Sequence, residues 1–219
     1  MSEDVISYRR NLPHIQPKDA IFFVTFRLAG SLPAAVVERL RKEKEHEINS
    51  LKKRLPAKDF EKEKYKLEKR YFGKFDHLLD EASSGPLWLK EPRLAQIVAA
   101  KIHELDGKRY ILIAYCIMAN HVHLLFDCTG FSEVSPANIA GTTKKYPLTD
   151  TLRLLKGSTA RLCNLALERG GEFWHHESYD HYIRDDEELY RIIEYILNNP
   201  VKAGLVENWQ QWKFSYLKP

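Results

Sequence analysis

Between Ala20 and Leu28 the chain reads AIFFVTFRL, an apolar run rich in β-branched and aromatic residues that stops at Gly30 and predicts a buried strand. Pro33 then opens a helix. From Glu38 to Arg70 the pattern changes to a dense mixture of Glu with Lys and Arg, in which Leu40, Ile48, Leu51, Leu55, Phe60 and Leu67 are sparse apolar points and Pro56 is a break. This predicts a charged helical hairpin, inserted at about 38–72, whose ordinary reading is a solvated surface. Its Lys52-Lys53-Arg54 step could still touch phosphate. Ser83-Ser84-Gly85-Pro86 is loop, and Leu94, Ile97, Val98, Ile102 and Leu105 then recur at the helical period over 92–105. Arg109 to Met118 and His121 to Asp127 are apolar strands either side of a tight turn at Ala119-Asn120, hence antiparallel neighbours. Cys128 to Pro147, rich in Gly, Pro, Ser and Thr, reads as a mobile loop. Leu148 to Glu168 is a second main helix closed by Gly170-Gly171. Glu172 to Ile183 is extended, and Asp186 to Asn198 is a helix with apolar Leu189, Ile192, Ile193, Ile196 and Leu197.

With the hairpin set aside as an insertion, the order is strand, helix, strand, strand, helix, strand, then a last helix. That is an α+β fold, a ferredoxin-like or RRM-like βαββαβ antiparallel sheet with a C-terminal helix, expected as a single domain over 1–219. A chain of 219 residues, 44% hydrophobic and 11% aromatic, can bury such a core. Thirty-four Lys and Arg against 30 Asp and Glu leave a net charge of +4, only suggestive of a polyanionic partner. Cys116, Cys128 and Cys163 have no metal-ligand spacing and no even framework, so they read as small apolar fillers in a reducing compartment. The first 20 residues lack an apolar signal core, and the longest apolar run, 111–119, is far short of the ~20 residues of a membrane span. A soluble cytoplasmic protein with no membrane partner is expected.

Composition leaves the chemistry open; His121-Val122-His123 narrows it. Residues two apart on a strand share a face, so two imidazoles face one way while Val122, Leu124 and Phe126 anchor the other. Nine His in this length give roughly 0.4 such pairs by chance, so context must decide between a metal grip and two hydrogen-bonded sheet histidines. On the last helix Tyr195 and Asn199 are four apart and lie one turn above each other. Asn199 precedes Pro200, which disfavours helical geometry at 199 and places the amide at the helix end, as a third ligand or as the N-cap of a short helix begun by Pro200.

The segments ANHVHLLF (119–126), LLKGSTARLCN (154–164), FWHHESYDHYIRDDEEL (173–189) and YILNNPVKAGLV (195–206) together resemble the tyrosine transposases of the HUH endonuclease superfamily, and within it the REP-associated tyrosine transposases of bacteria. The resemblance covers about residues 8–30 and 90–216 and leaves the charged hairpin unassigned. It implies a nucleoid-associated enzyme that cuts and rejoins single-stranded DNA at hairpin-forming palindromic repeats, as a monomer or, as in other relatives, a dimer. Tyr195 takes the place of the nucleophile on a catalytic helix. His121, His123 and Asn199 take the places of ligands to Mg²⁺ or Mn²⁺, with Asn where related enzymes often carry Gln. The scheme forms a 5′-phosphotyrosine and needs no nucleotide energy source, in keeping with the absence of a GxxxxGK[ST] loop.

Phosphate contacts are expected from Lys144, Lys145, Arg153, Lys156 and Arg161 on or before the second main helix, with a solvated basic face as the alternative. Arg184 and His181 are expected to support the pocket or the substrate phosphate, and Asn120 to support the histidines. Trp174, Tyr179 and Tyr182 could stack on unpaired bases, though core packing suits each singly. His175, His176 and His181 make a poor second metal cluster, because adjacent residues of a strand point apart. Three rival readings remain: a domesticated binder of palindromic repeats, an RRM-like RNA-binding module, and a zinc hydrolase that uses His121, His123 and a carboxylate, depends on Zn²⁺ and is indifferent to Tyr195→Phe.

Overall fold

The computed structural model describes residues 5–9, 13–17, 19–81, 84–131 and 147–219, in two compact units, 1–29 with 88–219 and 30–87. The first unit begins with a two-stranded hairpin, β1 (Val5–Arg9) and β2 (Pro13–Pro17). Its main sheet holds β3 (Ile21–Leu28), β4 (Ile111–Ile117), β5 (His121–Asp127), β6 (Trp174–Tyr182) and β7 (Ser215–Leu217) in the order β6-β3-β5-β4-β7. Every neighbouring pair is antiparallel. The first four strands give the ferredoxin-like order. The fifth, β7, was not expected: the chain returns after the last helix and pairs Ser215, Tyr216 and Leu217 with Cys116, Tyr115 and Ala114 at the sheet edge.

Alternation sorts the sheet's side chains. Phe22, Val24, Phe26 and Leu28 of β3 and Val122, Leu124 and Phe126 of β5 point into one core, filled from above by Leu94, Val98 and Ile102 of α3 (Pro92–Leu105) and Leu155 and Cys163 of α4 (Pro147–Ala166). Trp174 belongs to this core: its ring meets Phe26 edge-on at 4.8 Å and its indole N–H donates to Thr159 Oγ1 at 2.9 Å. Core packing is therefore its role. All three cysteines are buried, and burial pushes the Cys128 and Cys163 thiols up to about 12, as apolar fillers require.

The opposite face carries Phe23, Thr25, His121 and His123, and α5 (Asp186–Lys202) lies against it. Asp185 caps α5 by accepting from the Glu188 N–H at 2.7 Å, and Asp186, Glu187 and Glu188 suit the positive end of the helix dipole. The helix does not stop at Asn198. It runs through Pro200 to Lys202 and ends at Gly204, whose φ of +67° suits glycine. Pro200 forfeits one backbone donor so near the end that little of the ladder is lost, and burial of Asn199 and Pro200 overrides the bias against helix before proline.

The second unit is a helical hairpin, α1 (Ala34–Arg54) and α2 (Ala57–Asp80), started by Pro33 and Pro56. The charged insertion expected at about 38–72 falls inside it. Tyr71 donates to Glu47 at 2.7 Å and Arg70 pairs with the same carboxylate, which laces the helices together. At the neck, Gly85 (φ +95°) passes so close that a Cβ there would stand 2.5 Å from the Gly30 carbonyl oxygen. No described helix is long and apolar enough to cross a membrane.

Candidate metal and tyrosine site

His121 and His123 are both fully buried, and their Nε2 atoms face each other at 3.1 Å. Their protonation follows from their outer partners. Asn120 Oδ1, an acceptor, stands 2.7 Å from His121 Nδ1, so that nitrogen carries the proton and Nε2 keeps its lone pair. Asn199 Nδ2 donates to His123 Nε2 at 3.1 Å, which leaves Nδ1–H of His123 to donate to Thr25 Oγ1 at 2.8 Å. Two lone pairs then point at one spot. Burial, and secondarily the charge of Lys202, drive the His123 pKa down to about 3, so the ring stays neutral and available. Two convergent neutral imidazoles held by outer hydrogen bonds are the donor pattern of a divalent-cation site. Rotation of the Asn199 carboxamide would present its oxygen at the same point, so the set fits two nitrogens and one oxygen.

Tyr195 stands one turn before Asn199 on α5. Its ring meets His123 edge-on at 5.5 Å and Phe23 at 6.1 Å. Lys202, seven residues on and on the same helix face, holds its ammonium 4.8 Å from the Tyr195 ring centre. The geometry thus gathers His121, His123, Asn199 and Tyr195, with Asn120 behind the first histidine. His181 on β6 pairs with Glu188 at 3.2 Å, and Glu188 also accepts from the Arg184 N–H at 3.1 Å, so this trio ties β6 to the first turn of α5. Tyr179 packs edge-on against Phe23, and Arg184 lies over the Tyr182 ring at 5.4 Å.

Not all of the expected phosphate residues lie among the described ones. Lys144 and Lys145 lie outside the described residues. Arg153 and Arg161 are exposed on α4, two turns apart, with Arg153 paired to Asp150 at 3.2 Å. Lys156 differs: its ammonium donates to the His175 and His176 carbonyls at 2.8 and 3.0 Å and to Ser178 Oγ at 3.1 Å. The register of β6 against β3 shifts there, Phe26 facing Ser178 but Leu28 facing Trp174, and the bulged carbonyls leave the ladder for the lysine. His175, His176 and His181 do not gather into a metal site among the described residues.

Sequence reasoning missed Thr25, Lys202 and Glu188. Thr25 is the polar break in FFVTF, but only the pairing of Thr25 with His123 gives it meaning. Lys202 was legible at helical spacing from Tyr195, had the helix been carried past Pro200.

No family model matches the chain. A Haemophilus influenzae protein provisionally named REP-associated tyrosine transposase is 31% identical over 103 residues, 47% of this chain and 56% of that protein. The match thus spans little more than half the length of that curated relative. A solved REP-associated tyrosine transposase bound to a REP hairpin superposes with a TM-score of 0.49 at 16% identity, over 98% of this chain and 82% of that one. A Deinococcus radiodurans chain provisionally called a transposase gives 0.28 at 14% identity, over 83% and 91%.

Proposed function

We propose that this chain is a metal-dependent, single-strand-specific DNA transesterase of the REP-associated tyrosine transposase type, acting at hairpin-forming palindromic repeats. The observation that carries the reading is the meeting of His121, His123 and Asn199 with Tyr195, whose ring stands 5.5 Å from His123. A relative sharing 31% identity and carrying that family name adds support.

His121 and His123 would hold Mn²⁺ or Mg²⁺ with the Asn199 amide oxygen, and the imidazole pair favours Mn²⁺ of the two. Bound there, the cation would supply Lewis-acid polarisation of the scissile phosphate. The chain's own residues do the rest. Tyr195 gives up its phenolic proton and its oxygen attacks phosphorus; the P–O3′ bond breaks, the 3′-oxygen takes up a proton, and the DNA remains as a 5′-phosphotyrosine ester. That ester conserves the bond for a second 3′-hydroxyl to reclaim. Lys202, beside the Tyr195 ring, offers positive charge to the phosphate oxygens.

The test is to incubate the protein and its Tyr195→Phe variant with labelled single-stranded hairpins from palindromic repeats, with Mg²⁺ or Mn²⁺, and to look for a covalent adduct on a denaturing gel. An adduct requiring both metal and Tyr195 supports the reading. Cleavage surviving Tyr195→Phe points to Tyr182, Tyr179 or metal-activated water, and tight binding without cleavage under any metal points to a domesticated binder.

A further inference from the structure

The charges of the helical hairpin fall into two sets. Along its stem many are paired: Arg41 meets Glu38 and Glu45 at 2.8 Å, Lys42 meets Glu38 at 3.6 Å, Lys66 meets Glu63 at 2.8 Å, and Arg70 pairs with Glu47 across the helices. At its tip they are not. Lys52, Lys53 and Arg54 end α1 and Lys58 begins α2; all four are exposed, and none has an ion-pair or hydrogen-bond partner among the described residues. Asp59 is the one acid in the stretch from Leu51 to Phe60.

Helix electrostatics account for part of this arrangement. The three cations closing α1 meet the negative end of its dipole, but Lys58 sits in the first turn of α2, at the positive end, where a cation is disfavoured. The chain therefore concentrates positive charge where neither neighbouring acids nor its own second helix offset it. An external polyanion would. Exposed large hydrophobic side chains are lacking at this tip among the described residues, so it has no apolar anchor for a lipid surface.

We infer that the tip formed by Lys52, Lys53, Arg54 and Lys58 is a phosphate-contact surface for duplex DNA, engaging the base-paired stem of the hairpin substrate. This rests on the proposed function, since it assumes a hairpin substrate. Duplex DNA presents one charge per ~1.7 Å of axis, a density that several adjacent side chains can meet together, and each contact releases counterions.

The test uses the full chain and a variant carrying Lys52→Gln, Lys53→Gln, Arg54→Gln and Lys58→Gln, with fluorescence anisotropy on hairpin oligonucleotides across a salt series. The slope of log Kd against log salt should become shallower by about 2 to 4, while a stemless oligonucleotide binds both proteins alike. A charge-conserving variant, Lys52→Arg, Lys53→Arg and Lys58→Arg, should keep the wild-type slope, which excludes a folding artefact. Equal slopes for wild type and the Gln variant would overturn the inference while leaving the proposed function standing. Failure of the wild type to bind any hairpin would sink both. Retained DNA slope with lost binding to anionic phospholipid vesicles would overturn it in favour of a lipid surface.

Discussion

Thr25 Oγ1 stands 2.8 Å from Nδ1 of His123, and the two residues face each other across β3 and β5. The hydroxyl takes the ring N–H, so one strand sets the tautomer and rotation of an imidazole carried by the next. Thr25→Val keeps the shape and removes the acceptor. It should lower divalent-cation affinity by about 10- to 100-fold, read by Mn²⁺ titration, and leave hairpin DNA affinity unchanged. Asn120→Ala should act alike through His121. Wild-type Mn²⁺ affinity in both variants would show that these bonds do not orient the rings.

Loss of a proposed ligand should separate chemistry from recognition. His121→Ala should abolish cleavage and leave hairpin binding intact, because the proposed phosphate contacts sit on other residues. Gel-shift and cleavage assays on one preparation would decide it, and a parallel loss of both would remove the separation.

Lys202 is the cation at the Tyr195 ring. Lys202→Gln should slow adduct formation by about 10²-fold at saturating DNA without changing Kd, and Lys202→Arg should restore much of the rate. A Gln variant reacting at the wild-type rate would take Lys202 away from the reacting phosphate.

Lys156, unlike exposed Arg153 and Arg161 on α4, donates into β6. Lys156→Met leaves two carbonyls and a hydroxyl of β6 without their donor and should cost about 2 kcal/mol in urea unfolding, with no change in the salt dependence of DNA binding. Exposed Arg161→Ala should do the reverse: native stability, and a salt slope shallower by about 1. A stable Lys156→Met protein with a flattened slope would reassign that lysine to DNA.

What could be read from the chain followed periodicity. Strict alternation in HVHLLFD put the histidines on one face and Val122, Leu124 and Phe126 on the other, as the sheet has them, and the 3.6-residue recurrence marked α3 to its last residue. Features set by tertiary contact were not readable. Ser215–Leu217 is too short for a strand signal and exists because β4 offers an edge. Pro200 argued for a helix end, and burial against the sheet outweighed it. Lys156 looked like a free basic residue because the β6 bulge that consumes it is a property of two strands together.

The neck where Gly85 touches Gly30 has a consequence for assembly. A helical hairpin forms from contacts near in sequence and closes its own ends there, before distant strands must find one another. To β3 and α3 the whole insertion then counts as a connection of a few residues, which by logarithmic loop scaling spares the sheet about 2 kcal/mol of closure entropy. Length in α1 and α2 is thereby nearly neutral for the core. Matched turns can be gained or lost from both helices while the neck stays fixed, so the length of this hairpin is a variable that evolution, or a designer, can change on its own.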